Sequence, residues 1–297
     1  MSTPPPDPFG QDPQPGFGAY GAGSGHGYPA APLDDPLVPA DLRGWAERVV
    51  GVARRSLVPL LTIQVGVGVV GMAISLAVSP LLPAPGPVPG GAAQPGAQPG
   101  AQPDGAASLV AMLGLMAAVV IGILAQSGST YVAIRDAAGR PTTASEGMRF
   151  AARLSPILIP WGIAAGALTM VGFILVIPGL YFAVVFGSTL IGVLTVERMP
   201  ILRCFELVNR RLWPTVGRMM VAVVVAGIYS VVSAFVVNAL STPQSVAEAA
   251  LQAAMAIPMG IGAVGVTTVT YAELRFFESP QVMTPQLAQQ LELPGTG

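Results

Sequence analysis

Six long apolar stretches, separated in turn by connections with and without arginine, constrain this chain more than any other feature. They run over about 57–82, 108–134, 156–177, 180–197, 215–240 and 248–274. A helix needs about 20 residues to cross a hydrocarbon layer of roughly 30 Å. The apolar run from Pro156 to Glu197 is too long for one crossing, and the turn-forming dipeptide Pro178-Gly179 divides it into two short helices. Charge requires the same division, because a single helix would put the next arginine block on the wrong side of the membrane.

All positive charge comes from arginine: the chain has 14 basic residues and no lysine. Arg43, Arg48, Arg54 and Arg55 precede the first span, and Arg135, Arg140, Arg149 and Arg153 separate the second from the third. Arg198, Arg203, Arg210, Arg211 and Arg218 separate the fourth from the fifth, and Arg275 follows the sixth. The other three connections carry none. This positive-inside pattern predicts an all-α bundle of six transmembrane helices in the cell (inner or plasma) membrane, with both termini cytoplasmic. The expected organisation is a six-helix membrane domain over 40–275 with cytoplasmic interfacial helices, flanked by disordered termini: a Pro/Gly-rich tail over 1–39 and a cytoplasmic C-terminal tail over 276–297. Residues 83–107 form a flexible outer loop with the repeat Gln94–Ala97 and Gln98–Ala101. Met1–Pro39 lacks the basic start and apolar core of a signal peptide.

Composition narrows the chemistry. Charged residues make up 10% and hydrophobic residues 52%, against about 25% charged in a soluble domain. A net charge of -1 offers nothing to nucleic acid. One cysteine, Cys204, and one histidine, His26, leave no basis for a disulfide, a metal centre or triad chemistry, so no catalytic, cofactor-binding or metal-binding residues are expected. Glu197 and Glu273, at the cytoplasmic ends of their spans, are the only pair that could serve an enzyme. Deep in the spans the polar groups are neutral, which weighs against an ion-driven transporter. Gln64 and Gln126 either hydrogen-bond between helices or line a polar path, the feature a channel or transport component would need. Gly66–Gly71 and Gly260–Gly265 match Gly-x-Gly-x-x-Gly, but inside membrane helices they read as close-packing glycines rather than nucleotide loops. Ala222, Ala226, Ser230, Ala234 and Asn238 give the fifth helix a small face expected to meet a neighbour closely.

Three arginine-bearing stretches run into a proline at the start of a span: Arg55 to Pro59, Arg153 to Pro156 and Arg211 to Pro214. Leu42, Trp45, Val49 and Val52 form one apolar stripe upstream, and Leu202, Phe205 and Leu212 form another. The expectation is a threefold unit of interfacial helix plus hairpin, with Arg54, Arg55, Arg153, Arg203, Arg210 and Arg211 reaching anionic lipid phosphates. Trp45 and Trp213 read as interface anchors. Membrane lipids are the expected partners, with a membrane-protein partner or a second copy as further candidates.

The segment from Pro178-Gly179 and Tyr181 to Glu197, then Arg203, Leu207 and Trp213, resembles the bacterial membrane domain found fused to some glycerophosphodiester phosphodiesterases and its stand-alone relatives. Cys204 stands where that family has serine, and Leu212 where it often has phenylalanine. The resemblance covers about 40 residues. It implies a multi-helix membrane protein without activity of its own, since the phosphodiesterase barrel has no counterpart in the sequence. A lysine-free chain rich in Ala, Gly and Pro also fits a high-GC, actinobacterial source.

Overall fold

The computed structural model describes residues 34–78, 105–199, 201–242 and 245–293. The expected N-terminal tail up to residue 33 and the outer connection from 79 to 104 lie outside the described residues. Within them the fold is all-α, without a strand.

The first helix, α1 (Leu42–Arg55), starts where Asp41 Oδ1 accepts the Gly44 N–H at 2.6 Å, which satisfies a donor that the helix itself cannot. It ends at Ser56, and α2 (Leu57–Val78) follows at once with Pro59 in its first turn. Beyond the second connection come α3 (Gly105–Ala137) and α4 (Ala144–Ile174). A reciprocal capping box of Thr143 and Glu146 starts α4. After it, α5 (Ile177–Gly192) continues into a π turn over Val193–Glu197. A short α6 (Leu202–Arg210) leads into α7 (Leu212–Leu240), then α8 (Val246–Glu278) and α9 (Thr284–Glu292).

Six of these segments are long and apolar enough to cross a membrane: Leu57–Val78, Ser108–Ala137, Ala144–Ile174, Ile177–Glu197, Leu212–Leu240 and Val246–Glu278. They match the expected spans with one informative difference. Pro156 does not begin a helix, because α4 starts at Ala144 and runs through both Pro156 and Pro160. At 1.5 Å per residue its 31 residues span about 46 Å, so roughly the first ten, up to Arg153, project beyond the hydrocarbon layer. The second interfacial stretch, around Arg153, is thus fused to its span, and the threefold unit is not repeated in that form.

The turn between α4 and α5 also sits two residues earlier than the dipeptide indicated. Val176 adopts φ 57° and ψ -65°, and the Ile177 N–H donates to the Leu175 carbonyl at 2.7 Å. Such a γ-turn is rare and strained, especially for a β-branched residue. Pro178 then falls in the first turn of α5. Gly179 serves contact instead of the bend, since a Cβ there would lie 2.5 Å from the Phe173 backbone.

Around α8 the other elements gather: it packs against α1, α2, α3, α5, α6 and α7. Gly265 lets the α1 backbone at Val49 approach, and Gly260 accommodates Gln64 of α2. The second Gly-x-Gly-x-x-Gly match therefore works as a packing surface. Helices α3 and α4 meet at Gly128 and Gly147, where an added Cβ on Gly147 would lie 2.7 Å from the Gly128 carbonyl oxygen. The outward faces of α2, α3 and α7 carry exposed valine and leucine, as a lipid-facing surface requires.

Two expectations about the ends need correction. The C-terminal stretch from 276 is folded in its described part: α9 buries Leu287, Ala288 and Leu291 against the bundle. The N-terminal boundary also moves, because Asp35, Leu37 and Val38 are buried ahead of α1. Asp35 accepts both the backbone N–H and the hydroxyl of Thr284, at 2.9 and 2.7 Å, tying the start of the described chain to its last helix.

Candidate functional site

The helix ends that carry arginine converge at one end of the bundle, where α5, α6 and α8 hold a partly buried ionic cluster. The π turn closing α5 aims Glu197 inward, and Gly192 beside it leaves space for the ring of Tyr271 on α8. Tyr271 donates its hydroxyl hydrogen to Glu197 Oε1 at 2.9 Å. From α6, Arg203 donates to Glu197 at 2.8 Å, to Glu206 at 3.0 Å and to Glu278 of α8. Arg275 donates to Glu278 at 2.6 Å and lies 3.5 Å from Glu197. Burial opposes the Arg203 charge, but its hydrogen bonds with Glu278 and Glu197 more than offset this and hold the pKa above the usual arginine value.

A second cluster ties α7 to α8. Glu273, fully buried, is ion-paired with Arg218 and lies 3.5 Å from Arg211. The Arg211 guanidinium also sits 3.5 Å above the Phe277 ring, a cation–π contact. A third group involves α9, whose Glu292 lies 2.7 Å from Arg140 and 3.4 Å from Arg135. Buried ion pairs add little net stability over apolar packing, yet removing one partner strands the other and costs several kcal/mol.

This geometry reassigns several residues expected to face lipid. Arg203 and Arg211 are engaged by carboxylates within the protein. Arg210 is 61% exposed and only 3.7 Å from Glu278, and Arg54 and Arg153 are exposed, so these three remain directed outward. Arg55 reaches the Pro36 carbonyl at 3.2 Å, and burial followed by repulsion from Arg48 pulls its pKa below the ordinary value. Trp45 is not an interface anchor: it is buried and donates to Thr270 Oγ1 at 3.0 Å. Trp213, 80% exposed, does have the position of an anchor. The buried side of α6 is Cys204, Leu207 and Val208, while Leu202 of the expected stripe is exposed. Burial, foremost, pushes the Cys204 thiol up to about 11, against a minor opposing pull from its neighbour Arg203.

Part of the family-like segment comes together, while Gly179 packs against Phe173 of α4 and Trp213 is exposed. Tyr181 donates to Asn209 Oδ1 at 2.7 Å, Glu197 pairs with Arg203, and Leu207 packs in the core. Sequence reasoning missed Tyr271, Arg275, Glu278 and Arg218. The spacing of Arg275 and Glu278, three residues apart on one helix, was a readable signal. The π turn that orients Glu197 left none.

Toward the opposite end the polar features separate. Gln64 lines a mostly apolar cleft of about 820 Å³ between α2, α3 and α8, together with Ser75 and Gln252, and Gln126 is not part of that lining. The small face of α7 meets α8 less closely than expected, because Ser230, Ala234 and Asn238 border a 370 Å³ cleft. Among the described residues no group of His, Cys, Asp or Glu is arranged to hold a metal ion.

Six apolar spans around a charged, ion-paired end define a polytopic membrane protein. Compared with known proteins, the chain matches no family model, no curated protein and no solved structure.

Proposed function

We propose that this is a non-enzymatic membrane protein whose arginine end lies at the cytoplasmic leaflet and there associates with anionic lipids, as a scaffold or envelope component. One observation carries the reading. The carboxylates Glu197, Glu273 and Glu278 are all matched by guanidiniums inside the protein, while Arg54, Arg153 and Arg210 remain exposed around them. An enzyme would direct its carboxylates at a substrate; these are consumed in holding helices together. The outward arginines then give a rigid cationic rim at the level of lipid headgroups. The positive-inside pattern supports placing that rim, and both termini, on the cytoplasmic side.

The resemblance to the phosphodiesterase-associated membrane domain fits this reading, because Tyr181, Glu197, Arg203 and Leu207 act together in joining α5 to α6. On this proposal the chain is a stand-alone relative of that domain. A transport role finds less support, since Gln126 does not join the largely apolar cleft that Gln64, Ser75 and Gln252 line.

The test is lipid retention. In nanodiscs of mixed dioleoylphosphatidylglycerol and dioleoylphosphatidylcholine, native mass spectrometry of the released protein should show several-fold preference for the anionic lipid. Replacing Arg54, Arg153 and Arg210 together by Ala should reduce it. Equal retention of both lipids by the unmodified protein would overturn the reading.

A further inference from the structure

A cavity of about 480 Å³ at the arginine end lies apart from the ionic cluster. It is bounded by the end of α3, the projecting start of α4, the residue after the π turn, and the last turn of α9. Tyr131, Phe150, Arg153, Arg198, Leu291 and Leu293 line it. Its size falls within the usual range for small-ligand pockets, roughly 300–1,000 Å³.

Arg198 is the unusual member. It takes a left-handed backbone conformation, φ 55° and ψ 29°, which glycine or asparagine would adopt at lower cost. Its Nε is buried and finds no hydrogen-bond partner among the described residues, and the side chain makes no ion pair there. A strained backbone that brings a guanidinium with a buried, unpartnered Nε to a cavity is best explained by what the guanidinium meets. Arg153, across the cavity on α4, is likewise without an ion pair among the described residues. The single carboxylate in the lining, Glu292, is occupied by Arg140 and Arg135. The charge presented to the cavity is therefore cationic, from two guanidiniums that each carry several N–H donors for phosphate oxygens.

The rest of the lining is apolar. Tyr131 and Phe150 stack with ring centroids 4.2 Å apart, and Leu291 and Leu293 close the side formed by α9. Two guanidiniums beside aromatic and leucine surface match a molecule with an anionic head and an apolar body. The location agrees, since Arg153 sits where α4 emerges from the hydrocarbon layer. We propose that this cavity is a specific site for the phosphate headgroup of an anionic membrane phospholipid, held by Arg153 and Arg198 and covered by α9. The proposal deepens the anionic-lipid reading and rests on it.

The same nanodiscs test it on the full chain. The unmodified protein should leave them with one phosphatidylglycerol that survives activation energies which strip the other lipids. R153Q/R198Q should lower occupancy of that lipid roughly tenfold or more, the effect of losing charge-assisted hydrogen bonds. L293W keeps both arginines but fills the cavity from the exposed Leu293, and it should displace the lipid too. It covers the case in which the arginine variant fails to fold, which helical melting by circular dichroism would reveal. R54Q/R210Q should thin the loosely held lipids and leave the tight one in place. A tight lipid that persists in L293W, or that is lost with R54Q/R210Q and kept with R153Q/R198Q, overturns the site while leaving the cationic-rim reading intact. Competition by millimolar glycerol phosphate would show that the cavity takes a soluble phosphate and would overturn the lipid assignment. No anionic preference in the unmodified protein would remove both readings together.

Discussion

The two ends of the bundle are built from different materials. At the arginine end, α5, α6, α7 and α8 are cross-linked by ion pairs around Glu197, Glu273 and Glu278, and α9 and Asp35 add a further latch. Toward the other end, clefts of about 370 and 820 Å³ lie between α7 and α8 and among α2, α3 and α8, and polar contacts are sparse. Hydrocarbon surrounds the middle of a bundle but gives helices no hydrophobic reason to associate, so association depends on packing and polar contacts. Where charge is affordable, near the water, this chain concentrates it. One end is tied together by charge, and the other leaves open space between its helices.

The largest test of that contrast is Glu273→Ala. It would strand Arg218, which is buried, and should destabilise the protein by about 3–5 kcal/mol, read by equilibrium unfolding in mixed micelles. Glu248→Ala near the start of α8 removes a carboxylate that caps a more open region and accepts from Gln252 at 3.0 Å. It should cost under about 1 kcal/mol. Similar losses from the two variants would mean that both ends are equally rigid.

Much of this contrast was legible in the sequence, and the part that was not has a physical cause. Arginine position marked the charged end, and apolar length marked the spans to within a few residues except the start of the third, because both follow from the cost of burying charge in hydrocarbon. Partner choice was hidden. Arg203 and Arg153 look alike in sequence, yet one meets three carboxylates and the other none among the described residues. That distinction depends on α8 bringing Glu278 back beside α6. Likewise Trp45 and Trp213 share a boundary position, but only Trp45 faces Thr270 across a helix contact. The fused start of α4 was missed because proline in an early turn and proline in the interior of a longer helix give the same local signal.

Reactivity offers the next test. The buried Cys204 thiol, pushed up to about 11, has about a hundredfold less thiolate at pH 8 than an ordinary cysteine at 9.0. Because only the thiolate reacts, maleimide labelling of the folded protein should be very slow and rise about tenfold per pH unit up to about pH 11. In a Cys204→Ala background, Val246→Cys at the opposite end, where the side chain is 63% exposed, should label at an ordinary rate. With an impermeant maleimide, Val246→Cys should label in intact cells; protection until the membrane is opened would reverse the proposed orientation.

Glycine substitution probes packing at smaller scale. A Cβ on Gly192 would enter the Tyr271 ring, so Gly192→Ala should cost about 1–3 kcal/mol and loosen the Tyr271–Glu197 hydrogen bond. On α7, a Cβ on Gly227 meets nothing within 4 Å, and Gly227→Ala should stabilise by about 0.5–1 kcal/mol through helix propensity alone. Opposite signs at the two positions are expected in thermal melts; matching signs would dissolve the contrast.

The smallest effect sharpens the comparison most, because each end carries one strained residue. Val176 and Arg198 are the non-glycine residues with positive φ among the described residues, at 57° and 55°. Val176 sits at the α4–α5 turn, 59% exposed, in a position where its side chain has little to hold. Val176→Gly should relieve the strain and gain about 1 kcal/mol or less, since glycine's larger unfolded-state entropy takes back part of the relief. Arg198→Gly should bring similar backbone relief at the other end. There, however, the side chain lines the 480 Å³ cavity, so the gain in melting temperature should come with weaker retention of phosphatidylglycerol. Stability rising in both variants while lipid retention falls only in Arg198→Gly would show that strain at the open end is incidental to the turn, and that strain at the charged end is kept for its side chain. Equal retention by the two variants would make both turns alike and leave Arg198 without a role beyond closing the helix.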